Sequence, residues 1–81
     1  MKITPEDQAR IMGLTINGKP IKEMTAIEFC QYVLKKINGM KSDANVQALT
    51  MQVANFPGRV MSDDMKIDLI AKLERLGIEI K

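Results

Sequence analysis

The chain has 81 residues, 46% of them apolar and 27% charged, a balance that suits one folded domain over residues 1–81 and excludes a disordered chain. Its single cysteine, Cys30, excludes an internal disulfide, and no run nears the roughly 18 apolar residues of a membrane span. Net charge is only +2, with no histidine at all, which removes the usual agent of general acid–base catalysis.

The opening residues, Met1 to Asp7, turn acidic at once and lack the apolar core of a secretory signal, so a cytoplasmic location is expected. Thr4 followed by Pro5, Glu6 and Asp7 reads as a helix N-cap, with proline in the first turn and acids at the positive end of the dipole. The first helix is short, because Gly13 offers a left-handed stop with Leu14 just beyond it. Asn17-Gly18, flanked by Ile16 and Lys19-Pro20-Ile21, is a hairpin signal. Pro20 weakens the second strand, so a minute hairpin and an irregular turn both stay open.

Thr25-Ala26-Ile27-Glu28 is a capping box that starts the second helix, which runs to about Asn38 and stops at Gly39. Its apolar face takes in Ala26, Ile27, Phe29, Cys30, Val33, Leu34 and Ile37, with Glu28, Gln31 and Lys35 opposite. Ser42 or Asp43 caps a third helix, ended near Asn55 by Pro57-Gly58. Ser62 caps a fourth, whose stripe is Met65, Leu69, Ile70, Leu73 and Leu76 and whose stop is Gly77. Ile78-Glu79-Ile80 should follow as an extended tail held by its two isoleucines. The fold class expected is all-α, a small bundle of three main helices plus a short N-terminal one.

The third helix differs from the others. No charged residue occurs from Ala44 to Gly58. Val46, Leu49, Val53 and Phe56 make one apolar stripe. Ala44, Ala48 and Met51 make a second strip on another side, among Gln47 and Asn55. Such a helix either lies centrally, packed on both sides, or carries a contact face for another molecule. The second option makes Ala44, Gln47, Ala48, Met51 and Asn55 candidate protein-contact residues.

Four segments carry residue types that bear on chemistry. Gly13 to Lys19 has the two glycines and lysine of a phosphate loop, but Pro20 stands where a hydroxyl must hold magnesium. The segment from Asp68 to Ile80 resembles the helix after the attachment serine of acyl carrier proteins. The carrier signature Asp-Ser-Leu is absent, and Ser62-Asp63-Asp64 stands instead, so the segment is read as an ordinary amphipathic helix. Asp63 and Asp64 serve the helix dipole rather than a metal. Cys30 lies on an apolar face with no histidine to activate it. No catalytic residue, cofactor or metal ligand is expected, and the chain is not read as an enzyme.

Residues 10–41 carry six basic side chains, Arg10, Lys19, Lys22, Lys35, Lys36 and Lys41, against two acids, a balance of +4. That segment could contact phosphates. A helix-turn-helix laid on the second and third helices would offer Asn45, Gln47, Thr50 and Gln52 to base edges, though without an arginine. The reading favoured by the residues is a small protein-binding regulator, adaptor or inhibitor, with homodimerisation as one form of that contact. A nucleic-acid-binding regulator is the alternative. Small helical proteins of this size are frequent among bacterial and phage regulators.

Overall fold

A computed structural model describes residues 3–40 and 43–80. In chain order it holds helix α1 (Pro5–Met12), strands β1 (Thr15–Ile16) and β2 (Lys19–Pro20), a 3₁₀ turn (Ile21–Glu23), and helices α2 (Ala26–Ile37), α3 (Ala44–Ala54) and α4 (Asp63–Arg75). The architecture is a small helical bundle with a tiny antiparallel hairpin after its first helix.

Each helix begins on the side-chain oxygen that the sequence offers. The Thr4 hydroxyl accepts from the Asp7 amide at 3.1 Å, the Asp43 carboxylate from Val46 at 2.9 Å, and the Ser62 hydroxyl from Met65 at 3.2 Å. At α2 the capping box closes both ways: the Glu28 amide donates to Thr25 Oγ1 and the Thr25 amide to Glu28 Oε1. Ser42, the other residue considered for the α3 cap, lies outside the described residues.

The helix ends are of three kinds. At α4 the Gly77 amide donates to Glu74 and the Ile78 amide to Leu73, with Gly77 at φ +83°, a Schellman ending. At α2, Asn38 (φ −66°, ψ 127°) and Gly39 (φ +88°) form a type II turn closed by Met40 N–H to Ile37 O at 3.2 Å. Gly13 departs from expectation. It continues the helical backbone at φ −86° instead of turning left-handed, because its amide still reaches the Ala9 and Arg10 carbonyls. A Gly39→Val substitution should therefore cost about 1–2 kcal/mol through its positive φ. Gly13→Ala, where an added Cβ would touch nothing closer than 3.5 Å, should be neutral or stabilising when the two variants are compared with the parent by urea titration.

The hairpin forms. Ile16 pairs with Lys19 and Thr15 with Pro20 around Asn17 (φ +53°) and Gly18 (φ +80°), the two positive φ values of a type I′ turn. The next bond outward is Ile21 N–H to Leu14 O at 3.3 Å. Pro20 thus occupies a position that donates no ladder bond, and its missing N–H costs nothing. The Lys19 ammonium then pairs with Glu28 at 2.9 Å, tying the hairpin to the start of α2.

α1 packs on α4, and α2 packs on both α3 and α4. Ile11, Ile16, Ile21, Phe29, Val33, Leu49, Leu69, Ile70 and Leu73 are the most deeply buried side chains. Arg10 of α1 makes a two-pronged contact with Glu74 of α4 at 2.7 and 2.9 Å. The isoleucines of the C-terminal tail, Ile78 and Ile80, are partly buried against the core as expected.

Two features of the core differ from the sequence reading. The buried side of α2 is Ala26, Phe29, Tyr32, Val33 and Ile37, while Ile27 is 63% exposed. Its neighbours cover only part of the broad apolar face, so Ile27 falls off one edge and Tyr32 is drawn in at the other, with the Lys36 ammonium 5.5 Å from its ring centre. On α4, Lys66 is buried at 3% exposure. Its ammonium donates to the carbonyls of Ile21, Lys22 and Met24 at 3.0, 3.3 and 2.8 Å, so three donors meet three acceptors. This one side chain fastens the end of the 3₁₀ turn to α4.

Glu28 also sets a pH dependence. Bonding from the Thr25 amide, then from Lys19, holds its carboxyl at about 2, below the ordinary 4.5. A group whose folded pKa is depressed lends stability above its unfolded pKa and loses it as pH falls through the folded one. Stability should accordingly drop between pH 4.5 and about 2, and Glu28→Gln should flatten that stretch of an acid titration followed by circular dichroism. An unchanged slope in the variant would show that the acid sensitivity arises elsewhere.

Candidate protein-contact site

α3 is anchored on one side only. Val46, Leu49 and Val53 are buried and Phe56 is partly so, which is the stripe the sequence marks out. The second strip, Ala44, Gln47, Ala48, Met51 and Asn55, is exposed along its whole length, and Met51 is 64% exposed at its centre. Of the two placements open to an uncharged helix, a centre packed on both sides is not the one adopted. The spacing 44, 48, 51, 55 explains the geometry: steps of four, three and four residues keep all four side chains on one line down the helix. The two alanines leave a shallow track beside the Met51 thioether.

A groove of about 350 Å³ runs along the flank of this strip, between α3 and α4. Ala48 belongs to both. The α3 wall is completed by Asn45, Leu49 and Gln52, and the α4 wall by Lys72, Arg75 and Leu76. Lys72 is held between Asp68 at 2.9 Å and the Gln52 side-chain oxygen at 2.8 Å. The α4 residues of this groove were missed in the sequence. The available signal was the repeat 45, 48, 49, 52 on one helix facing 72, 75, 76 on the other, but nothing in the sequence sets the two helices side by side.

The described basic residues of 10–41 stand on several elements, and of these Lys19 and Lys35 line one groove between the hairpin and α2, together with Glu28. Arg10 lies on α1, paired with Glu74 and, at 3.6 Å, with Asp7. Lys19 lies on the hairpin, paired with Glu28. Lys22 is exposed on the 3₁₀ turn, and Lys35 and Lys36 lie near the end of α2. Lys41 falls outside the described residues. Of the four side chains considered for base contacts, the Thr50 hydroxyl donates to the Val46 carbonyl of its own helix at 2.8 Å, and the Gln52 oxygen accepts from Lys72.

The Arg10 guanidinium holds the Glu74 carboxyl below its usual range, chiefly through their direct hydrogen bonds. Burial pushes the Cys30 thiol above its usual range, which keeps it protonated and poorly nucleophilic at neutral pH. Among the described residues no three His, Cys, Asp or Glu side chains are grouped so as to hold a metal, and no helix is long and apolar enough to cross a membrane.

The fold and this surface define a small helical protein with one uncharged, outward-facing helix side. No protein-family model, curated protein or solved structure matches the chain.

Proposed function

We propose that the protein acts by binding another protein through the outward side of α3, as a small non-enzymatic regulator, adaptor or inhibitor. The observation that carries this reading is Met51, 64% exposed at the centre of a strip that has no charge and two small residues. Small side chains let a second helix approach closely, and burying one methionine on a partner is worth about 2 kcal/mol. Met also adapts its shape to the surface it meets. A second copy of the chain is one form this partner can take, since an uncharged strip does not repel its own image.

Nucleic-acid binding through Arg10, Lys19, Lys22, Lys35, Lys36 and Lys41 is the competing reading. It is disfavoured because Arg10 and Lys19 already have carboxylate partners. Two measurements separate the readings. A photo-crosslinking amino acid at position 51 should give protein adducts in cells, while the same group at Gln8 on α1 should not. A mobility-shift titration at low and raised salt should show no salt-sensitive complex with nucleic acid, since phosphate contacts weaken steeply as salt rises. A salt-sensitive complex together with an unreactive position 51 would favour nucleic acid.

A further inference from the structure

We propose that the groove between α3 and α4 receives a carboxylate carried on a helix of the partner. This inference rests on the reading that α3 faces a partner, and it adds the partner's chemistry. The groove has an apolar floor of Leu49 and Leu76, and no acidic side chain lines it.

Its polar groups are mostly spoken for in one direction. The Gln52 oxygen accepts from Lys72, which leaves the Gln52 NH₂ group to donate. The nearby acids are engaged elsewhere, Glu74 with Arg10 and Asp68 with Lys72. Arg75, exposed at the groove wall, makes no ion pair among the described residues. The lining therefore offers the Gln52 NH₂ group and one cation without an ion pair among the described residues, Arg75. Its complement is a group that only accepts, and a guanidinium binds a planar carboxylate with two parallel bonds.

The occupant is a helix rather than a small free anion because the groove adjoins the exposed, uncharged strip of α3 and has Ala48, Leu49 and Leu76 among its lining, so apolar contact lies beside the cation. Ala48 stands where strip and groove meet, and its small side chain lets a partner backbone come near enough for one Asp or Glu to reach Arg75 while apolar neighbours cover Met51. The mode is that of an amphipathic helix laid along a groove.

The test is selection of a displayed library of amphipathic helical peptides on the intact protein. Enriched peptides should carry Asp or Glu at one helical position. The Gln version of such a peptide should bind about tenfold more weakly. Arg75→Gln in the protein should weaken the acidic peptide by a similar factor while leaving the Gln peptide unchanged. Arg75 is a surface side chain, so the variant should fold, and a thermal melt checks that it does. Peptides with no acidic preference, or acidic peptides that bind Arg75→Gln as well as the parent, would overturn the inference. If those peptides are nevertheless lost on Met51→Asp, the contact role of α3 stands and only the carboxylate seat fails. If no peptide is enriched, the seat is refuted as well.

Discussion

A Lys66→Met protein should melt roughly 15 °C below the parent, a loss of about 3 kcal/mol in a domain of this size. Methionine nearly matches the length and volume of the lysine stem, so the core stays filled. What disappears is the ammonium that donates to the carbonyls of Ile21, Lys22 and Met24. Two of those bonds are buried, so their acceptors cannot turn to water without opening the structure. The side chain joins positions more than 40 residues apart, and the 3₁₀ turn should loosen from α4 along with the loss of stability. Hydrogen exchange in the variant should rise first at the Met24 amide, which bonds back to Ile21. A melting point within about 3 °C of the parent would mean that the cradle is not formed in solution.

Phe29→Ala should be more damaging still, by about 4 kcal/mol. Phe29 is fully buried on the side of α2 that meets its neighbours, and it is one of only three aromatic residues in the chain. Its removal leaves a cavity that the surrounding isoleucines and leucines fill only in part. Small domains hold a total of about 5–15 kcal/mol, so the variant should unfold at low urea or be unfolded at 37 °C. Phe29→Leu keeps most of the volume and should cost about 1.5 kcal/mol. Equal midpoints for the two variants in urea would show that Phe29 is not the centre of the core.

Much of the fold is legible in the sequence, because caps and stops are local. Thr4, Thr25 and Ser62 each place a side-chain oxygen within reach of amides two or three residues on, whatever the rest of the chain does. Gly39 and Gly77 mark places where only a positive φ lets the chain turn away. The hairpin stayed open in the sequence because Pro20 matters only if its amide is needed, and that depends on register. Lys66 was hidden for a different reason. It stands four residues before Ile70 and seven before Leu73, on the apolar stripe, but a buried ammonium needs acceptors supplied by a distant turn.

The candidate site was legible in part. The absence of charge and the spacing of Ala44, Ala48 and Met51 mark out the exposed strip residue by residue. Whether the strip faces inward or outward is not marked in the sequence, since that depends on which of two apolar sides the neighbouring helices cover. The groove beside it depends wholly on tertiary placement, so Lys72 and Arg75 could be seen only as ordinary basic residues near the end of a helix.

The most direct test of the contact role of α3 combines one substitution with one probe. With a photo-crosslinking group at Ala44, adduct yield in cells is compared between the parent and Met51→Asp, alongside thermal melts of both. The side chain stands outside the core, so the two melts should agree within about 3 °C, while the protein adduct formed from position 44 should be lost in the variant. An adduct that survives Met51→Asp undiminished, or a variant that no longer folds, would contradict the assignment of α3 as the face the protein offers to its partner.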